Sequence, residues 1–475
     1  MNDVWLLEGF AAFASGARAN VPEAVVESVR QRLLDVIGVQ VAATRLDTSV
    51  AAARFVHRQA GIGEASAIGL PMPVPAPWAA FVNGVLAHSL DYDDTHLPSI
   101  LHPSASVVPA ALAAGETTEA DGATLAAAIA AGLEITVRLG MAGYDPGTKN
   151  STYFEHGQHA TSICGTVGSA AAAAVLLDLP TRGVAHAMAI AVSMAGGVIE
   201  ANRTGGTVKR LHCGWAAHAG VTAALLAREG FTGPPSALEG RFGFFQAFLR
   251  GQFRSEELTQ GLGERWSVPD ISFKPYPANH FTHAGIDAAL ELRAGGLRPE
   301  DVNTAELRVP TATLRTIGEP LARKQAPATG YEAQFSGPYT VAAALFGGGG
   351  LGVGPVDFTD ALATDPARRS LMARVSVTGD AECDAIFPHQ FPAVLRVRTV
   401  RGSQLESRVM FNRGGPRRPL SDPELRTKFR DNVADVLKPE QVAAIERAVE
   451  AFPAQSGSGD ILAPLSGLDV LAPAR

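Results

Sequence analysis

The sequence predicts a mainly α-helical protein in which a large all-helical domain is followed by a smaller α+β domain. Residues 78–230 consist largely of Ala, Val, Leu and Gly, a composition typical of closely packed helices. Beyond Trp266, short segments alternate apolar and polar residues, as half-buried strands do. With 475 residues, 46% of them apolar, the chain is long enough for a large core and for more than one domain.

The helical elements begin near the N-terminus. Val25, Val29 and Leu33 fall on one face of a helix predicted over residues 22–39, and Pro22 suits its first turn. Polar stretches divide the apolar region that follows into separate helices, at residues 91–103, 144–161 and 202–209. Small residues let such helices approach closely, so the alanine richness predicts tight packing.

The second domain is predicted from the alternating segments. Residues 393–411 contain two alternating runs around Arg401–Ser403, which is the pattern of a β-hairpin. Further alternating segments lie at residues 304–310 and 373–380. The glycine run at residues 347–350 lacks the GK[ST] and GxGxxG patterns of phosphate-binding loops, so we interpret it as an ordinary loop.

Helical patterns return after the hairpin. Ser421 and Glu424 match a capping box, and the helical pattern continues to Phe452. These signals predict three segments: a helical domain over residues 1–266, an α+β domain over 267–413, and C-terminal helices over 414–475 that rejoin the helical domain.

Composition argues against several classes of partner. A net charge of −7 with 18% charged residues provides no basic stripe for a nucleic-acid backbone. Three widely spaced cysteines without a CxxC motif fit neither a disulfide framework nor a structural zinc site. The N-terminus lacks the basic start of a signal peptide, and the apolar segment 124–139 is interrupted by Glu134 and Arg138. We therefore expect a cytoplasmic protein without nucleic-acid or membrane partners.

Histidine placement gives the first indication of a functional site. Nine of the 12 histidines fall in four short stretches, at residues 88–102, 156–159, 212–218 and 280–283. The chain has only six lysines against 34 arginines, and Lys209 and Lys274 lie in or beside polar interruptions. A lysine kept where arginine is the usual cation suggests a titratable amine or a compact charge, although a solvated surface lysine is the simpler alternative.

Residues 88–105 concentrate Asp91, His96 and His102 with further carboxylates in an apolar region. Three interpretations remain open at this point. The first is a metal site, for which neither an HExxH nor a DDxxD motif is complete. The second is a group of capping residues for a helix that starts near Pro103. The third is acid/base chemistry in which a carboxylate orients an imidazole.

Six sequence blocks resemble, in order, the signature blocks of the MmgE/PrpD family: DYDDTHLPSILHPSASVVPAALA, GQHATSICGTVGSAAAAAVLLDL, TVKRLHCGWAAHAG, ALEGRFGFF, FKPYPANHFTHAGIDAA and EAQFSGPYTVAAAL. The resemblance extends from about residue 20 to about residue 450. The family includes 2-methylcitrate dehydratases, cis-aconitate decarboxylases and an iminodisuccinate epimerase, which act on small polycarboxylates without a metal or an organic cofactor.

The resemblance implies a helical domain with a smaller α+β lid, a homodimer, and an active site between domain and lid. The first functional expectation is a cofactor-independent hydro-lyase similar to 2-methylcitrate dehydratase. An epimerase of an iminodisuccinate-like substrate and a cis-aconitate decarboxylase are the alternatives within the family. Asn279 stands where the family's decarboxylases have histidine, which disfavours decarboxylation. A metal-dependent hydrolase and a non-catalytic metabolite-binding protein are the alternatives outside the family.

The family's functional positions can be assigned to this chain. The resemblance implies four catalytic residues: Lys274, His102, His159 and Tyr339. It implies four substrate-binding residues: Asp91, Thr95, Lys209 and His280. His88, His212 and Cys213 are expected to support the site or to lie in the core, and His283 is expected to be a core histidine. Each assignment has a structural alternative, such as a helix-capping His159 or a core Tyr339.

These residue types suit removal of a proton beside a carboxylate. The reaction builds up negative charge, which preorganised cations and hydrogen-bond donors in a dry site stabilise. Lys274 is accordingly predicted to be either the base or the principal cation beside it, and Tyr339 a proton donor. No cofactor or metal ion is expected.

Overall fold

The computed structural model describes residues 5–59, 61–201 and 206–472. Residues 1–4, part of the N-terminal stretch considered above, and residues 202–205, part of the polar stretch predicted at 202–209, lie outside these ranges. Contacts group the chain into two units. The helical unit comprises residues 1–89, 99–271 and 433–475, and the mixed unit comprises residues 90–98 and 272–432.

The longer helices of the described residues are α1 (Leu6–Asn20), α2 (Glu23–Ala43), α3 (Asp47–His57), α4 (Ala76–His88), α5 (Ser104–Thr117), α6 (Gly122–Ala142), α7 (Ala160–Leu176), α8 (Thr181–Met194), α9 (Leu211–Arg228), α10 (His283–Ala294), α11 (Gly337–Phe346), α12 (Asp422–Val433) and α13 (Pro439–Ala451). Shorter α-helices are found at Thr152–Glu155, Phe244–Leu249, Glu256–Thr259, Leu314–Ile317, Leu321–Lys324, Gly330–Ala333, Asp360–Ala363, Pro366–Met372, Ala381–Ile386 and Ser458–Leu462. The strands are β1 (Tyr144–Asp145), β2 (Asn150–Ser151), β3 (Val302–Val309), β4 (Val375–Gly379), β5 (Ala393–Thr399) and β6 (Gln404–Val409).

Small residues determine the packing of the helical unit. Helix α9 packs on α4 and α7, and α7 packs in turn on α6. Helices α4 and α9 meet at Gly84 and Gly214, where a Cβ atom on Gly84 would lie 2.7 Å from the Cα atom of Gly214. No side chain fits in that space, so glycine at both positions is what allows the two backbones to come into contact. The tight packing predicted from the alanine and glycine content is confirmed.

Helix α6 is long and apolar enough to cross a membrane by length and composition alone, but 94% of its apolar window is buried inside the protein. The two charges that interrupt it form an ion pair, in which Arg138 Nε lies 2.8 Å from Glu134 Oε1. Arg138 also donates hydrogen bonds to backbone carbonyls of residues 257–265, and the amide of Ser267 donates to Glu134. The ion pair therefore holds residues 257–267 against α6.

The mixed unit contains a four-stranded sheet in the order β4-β3-β5-β6. Strands β3 and β4 are parallel, and the other neighbouring strands are antiparallel. The hairpin predicted over residues 393–411 is confirmed, because β5 and β6 pair from Ala393 with Val409 to Arg398 with Gln404. Helix α10 packs on β5, β6 and α11. The predicted class, mainly α with a smaller α+β domain, is confirmed.

The unit boundaries differ from the predicted divisions at residues 267 and 413. Residues 268–271 belong to the helical unit, where Arg32 of α2 donates hydrogen bonds to the carbonyls of Val268 and Ile271. Residues 414–432 belong to the mixed unit instead of rejoining the helical one, because Leu420 and Leu425 pack with Phe273.

Residues 90–98 form the third difference, since they belong to the mixed unit although the flanking chain is helical. Thr95 and Ser272 exchange two backbone hydrogen bonds of 2.8 Å, which attach this segment to the mixed unit. Hydrophobic periodicity could not predict this exchange, because it depends on backbone groups far apart in sequence.

Candidate active site

Four histidines of the helical unit come together, and we call them the imidazole cluster. His88 is the last residue of α4, His102 lies two residues before α5, His159 is the N-cap of α7, and His212 is the second residue of α9. Ring centroids lie 5.5 Å apart for His88 and His102, 5.4 Å for His88 and His159, and 4.9 Å for His159 and His212. The four rings come from four separate segments of the sequence, and each lies next to at least one other ring of the cluster.

The packing described above places these rings. His88 follows Gly84 by one helical turn and His212 precedes Gly214 by two residues, so the close contact of α4 and α9 sets their spacing. The amide of His159 donates to the carbonyl of Gly197, whose φ of +147° suits glycine. A Cβ atom on Gly197 would lie 3.2 Å from that of His159, so a side chain there would press on the histidine.

His159 and His212 are hydrogen-bonded through like atoms. The two Nδ1 atoms lie 2.9 Å apart, and the side chains are only 2% and 6% exposed. One Nδ1 must carry the proton and the other must accept it. When both rings are neutral, one is therefore the Nδ1–H tautomer and the other carries its proton on Nε2.

Burial and mutual repulsion keep these imidazoles neutral. Burial holds the pKa of His159 well below its usual value, and His88, His212, Lys209 and His102 lower that pKa further. Burial, followed by the effects of His88 and Lys209, lowers the pKa of His212 to about 4. Lys209, predicted as a substrate ligand, thus lies close enough to act on both rings. It is half-buried in a short 3₁₀ helix, Val208–Arg210, ahead of α9.

Two helix N-termini meet at His159 and His212, since these residues begin α7 and α9. The N-terminal end of a helix has a partial positive charge that favours a bound anion. Neutral imidazoles can accept or share protons near pH 7. This part of the helical unit therefore combines proton acceptors with an environment suited to a carboxylate.

The mixed unit holds a buried ion pair between Lys274 and Asp91. The Lys274 Nζ atom donates to Asp91 Oδ1 at 2.7 Å and to the Asp91 carbonyl oxygen at 2.9 Å. Both residues are buried, Lys274 completely and Asp91 to within 5%. Asp91 adopts a left-handed backbone conformation with a φ of +52°, which turns its carbonyl and its carboxylate toward the same ammonium group. Thr95, also predicted as a substrate ligand, is buried in the same segment.

Lys428 is a functional candidate that sequence reasoning did not single out. Its Nζ atom donates to the carbonyl oxygen of Tyr92 at 3.2 Å and lies 3.9 Å from the centre of the Tyr92 ring. The Tyr92 hydroxyl donates to the carbonyl of Pro275, next to Lys274. Lys428 is only 1% exposed, although it lies in the otherwise polar helix α12. Its membership of only six lysines was the signal that could have identified it.

His280 and His283 lie in the same unit, with ring centroids 4.5 Å apart. His283 is fully buried, and its Nε2 atom lies 3.0 Å from the carbonyl oxygen of Ala278, so Nε2 carries the proton. Burial, and then the charge of Lys274, lowers the pKa of His283 to about 3. The prediction of a core histidine fits this position, but its Nδ1 atom has no hydrogen-bond partner in the described chain.

Tyr339 lies in the hydrophobic core of the mixed unit. Its hydroxyl donates to the carbonyl of Asp357 at 2.5 Å and accepts from Arg368 at 3.4 Å. Burial raises the pKa of its hydroxyl to about 12. Within the described residues, these contacts involve none of the other predicted site residues. They are the contacts expected of an aromatic residue in the core, which was the structural alternative for Tyr339. Its catalytic role stays a prediction.

The sequence cluster at residues 88–105 is divided between the units, because Asp91 belongs to the mixed unit and His102 to the helical one. Metal binding was one interpretation of this cluster. In the described part of the chain, no group of three or more His, Cys, Asp or Glu side chains has an arrangement that could hold a metal ion.

Comparisons with known proteins assign both parts of the chain to one family. Residues 8–256 match the MmgE/PrpD N-terminal domain, and residues 276–453 match the MmgE/PrpD C-terminal domain. The cis-aconitate decarboxylases of Mus musculus and Homo sapiens are each 29% identical to this chain. The mouse alignment covers 93% of this chain and 90% of the relative, and the human alignment covers 94% and 91%.

A fungal protein is also similar to this chain. The cis-aconitate decarboxylase-like protein oryM of Aspergillus oryzae is 27% identical, over 94% of each chain. Because the two domain models together cover most of the sequence, the protein belongs to the MmgE/PrpD family and is a lyase-type enzyme of that family.

Proposed function

We propose that the protein is a cofactor-independent lyase for a small tricarboxylate, with an imidazole of the helical unit transferring the proton. The imidazole cluster is the observation that carries this proposal. It holds neutral proton acceptors at the N-termini of α7 and α9, where the helices favour an anion. A polycarboxylate supplies both the anion and an acidic C–H bond beside a carboxylate.

His159 is the proposed base. Its Nδ1 atom is engaged with His212, so its Nε2 atom is the nitrogen left for the substrate. With the proton of the pair on the His159 Nδ1 atom, the Nε2 atom has a lone pair and can accept the substrate proton. His102 and His88 follow in the same chain of rings, and His102 is the second candidate for proton transfer.

Lys274 is proposed as a cation, the second of the two roles predicted for it. An ammonium group that donates to a carboxylate at 2.7 Å has no lone pair with which to remove a proton. Its charge can instead stabilise the negative charge that forms during the reaction. The Lys274→Arg variant tests this assignment, since arginine keeps the charge and is not a base at neutral pH. Exchange of the substrate's α-proton should persist in this variant, and loss of exchange from a folded Lys274→Arg protein would return the role of base to Lys274.

Two reactions within this substrate class remain candidates, and a separate observation supports each. The side chain of Asn279 accepts a hydrogen bond from the amide of Phe281 and caps a short 3₁₀ helix, His280–Thr282. It has no ionisable proton to offer, which supports dehydration of a 2-methylcitrate-like substrate over decarboxylation. The names of the three relatives support cis-aconitate decarboxylation instead.

One experiment distinguishes these reactions. The purified protein is incubated in deuterated water with 2-methylcitrate, citrate, cis-aconitate or iminodisuccinate, and products are followed by proton NMR. Water loss gives a new vinyl or methyl signal, decarboxylation gives a methylene pair, and epimerisation gives deuterium exchange without a new carbon skeleton. The His159→Gln variant should lose at least about a hundredfold in turnover of the accepted substrate. Absence of any reaction by the folded protein would reject the proposal.

Homodimeric assembly and a cytoplasmic location remain predictions. Light scattering of the purified protein tests the first, and a value of one chain would contradict it.

A further inference from the structure

We propose that His159 and His212 form a proton relay, in which His212 takes the Nδ1 proton of His159 as His159 removes the substrate proton. This inference rests on the proposed function of His159 and assigns a new role to His212. His212 is here a positioning and relay residue that acts through His159.

The geometry supports a relay because the Nδ1 atom of each ring is hydrogen-bonded to the Nδ1 atom of the other. The Nδ1 atoms are 2.9 Å apart, within the ordinary range for a hydrogen bond, so a proton can pass between them without movement of the rings. Both side chains are nearly fully buried, and water does not compete for the shared proton. A histidine that only oriented its neighbour could do so from any donor atom, whereas this arrangement joins two imidazole nitrogens, each of which can either donate or accept the proton.

The backbone fixes both partners. The Ser162 hydroxyl donates to the carbonyl of Gly196 at 2.6 Å, and the carbonyl of His212 lies 3.2 Å from the same oxygen. The amide of His159 is held by the carbonyl of Gly197 at 3.0 Å. Ser162 therefore connects the start of α9 with the segment that positions His159, and the distance between the two rings is held on both sides.

Protons balance in the proposed step. Before reaction, His159 carries its proton on Nδ1 and His212 carries its proton on Nε2. The electron pair of the substrate C–H bond stays on the substrate, and its proton forms a bond with His159 Nε2. The Nδ1 proton then moves to His212 Nδ1, which leaves His159 neutral and His212 as an imidazolium. Return of the two protons along the same path restores the starting state or protonates a product.

The surrounding groups determine how costly the transferred charge is. Besides burial, two groups act on His212, which takes up the charge: His88 at the end of α4 and Lys209 in the 3₁₀ helix. Both disfavour an added positive charge. A substrate carboxylate supplies the opposing negative charge, so the relay is expected to operate when the substrate is bound and not in the free enzyme.

The His212→Asn variant tests the relay. Asparagine can place an oxygen or an amide nitrogen where Nδ1 was, and so it keeps the hydrogen bond to His159, but it cannot take up a proton. We expect turnover to fall by at least about tenfold with KM within about twofold, because His212 is not proposed to touch the substrate. The acid limb of the kcat profile should also move. The matched control is His57→Asn, the same change at an exposed position on α3, which should leave turnover unchanged.

Turnover of His212→Asn within about twofold of the wild type would overturn the relay and leave His212 with an orienting role. A second measurement needs no substrate, so its result is valid even if the protein does not catalyse the proposed reaction. In wild-type protein labelled with ¹⁵N-histidine, one imidazole proton should show scalar coupling to nitrogens of two different rings, and this coupling should disappear in His212→Asn. If no such coupling is found in the folded wild-type protein, the shared proton is absent and the relay is rejected even if the enzyme is active.

Discussion

The helical unit and the mixed unit keep polar groups buried in opposite ways. In the helical unit, His159 and His212 are neutral, because burial and neighbouring positive charge disfavour their protonation. In the mixed unit, Lys274 and Asp91 are buried as ions and compensate each other at 2.7 Å. A neutral base can take part in proton transfer, whereas a paired ion contributes a fixed field and a fixed backbone geometry. The two units thus bury ionisable side chains in different forms, neutral imidazoles in one and a paired ammonium and carboxylate in the other.

Substitution of a single residue also has different consequences for stability in the two units. Loss of one imidazole removes a proton acceptor but leaves no bare charge behind. Loss of one partner of a buried ion pair leaves the other charge without compensation, which is among the most destabilising changes known for single residues.

Of the variants described here, Lys274→Met should have the largest effect. It removes the ammonium group that lies 2.7 Å from the buried Asp91 carboxylate, and we expect the free energy of unfolding to fall by about 3–5 kcal/mol. Urea unfolding at pH 7 measures this change. The double variant Asp91→Asn with Lys274→Met should regain part of the loss, because it also removes the negative charge that Lys274 compensates. If Lys274→Met alone unfolds at the wild-type urea concentration, the ion pair contributes nothing and the contrast between the units is wrong.

Acid should destabilise the protein through its neutral histidines. The unfolded chain protonates histidine below about pH 6.5, while the folded protein keeps His212 neutral down to about 4 and His283 down to about 3. The unfolded state thus binds more protons, and the free energy of unfolding decreases as pH falls from about 6.5 toward these values. The loss reaches at most about 1.4 kcal/mol per pH unit for each fully buried histidine.

Urea midpoints at pH 7.5, 6.5 and 5.5 measure this loss. His283→Gln should flatten the dependence, and the exposed His57→Gln should not. A stability that is unchanged between pH 6.5 and 5.5 would mean that the buried imidazoles are already charged in the folded protein.

Lys428→Met should lower activity while affecting the ion pair only indirectly. Lys428 supports Tyr92, the residue after Asp91, through its carbonyl and its ring. We expect kcat to fall about tenfold, with Lys428→Arg recovering most of it, because arginine also binds carbonyls and aromatic faces. Steady-state kinetics of the two variants checks this expectation. Equal losses in Met and Arg variants would show that the exact position of the ammonium group matters more than its charge.

Tyr339→Phe should have the smallest effect. The variant removes a hydrogen bond to the Asp357 carbonyl inside the core, which costs about 0.5–1.5 kcal/mol of stability. We expect turnover within about threefold of the wild type, since the hydroxyl is already engaged. A hundredfold loss of kcat with normal folding would instead support the catalytic role that the family resemblance implies for Tyr339.

Much of this architecture follows from sequence pattern. The β5–β6 hairpin has a period of two residues, and α2 has an apolar face with helical spacing, so both are encoded locally. The boundary near residue 271 depends on hydrogen bonds from Arg32 to the carbonyls of Val268 and Ile271, more than 230 positions away, and no local pattern reports such a contact. The same reason explains why residues 90–98 could not be assigned to the mixed unit.

The candidate site was predictable to a similar degree. Clustering in the sequence and family resemblance both indicated His102, His159 and Lys274. The relation between His159 and His212 depends on the meeting of two helix starts 53 residues apart, which composition cannot show. Lys428 went unnoticed because its helix is polar, and only its burial distinguishes it from a surface lysine.

The contact between Gly84 and Gly214 limits how this protein can be redesigned. Any larger residue at either position must push α4 and α9 apart, and both helices end or begin with a histidine of the imidazole cluster. A change made there to adjust stability would therefore also alter the distances between the rings of the imidazole cluster. The packing of the helical core and the spacing of the four rings are therefore one constraint, and a redesigned sequence has to keep glycine at both positions.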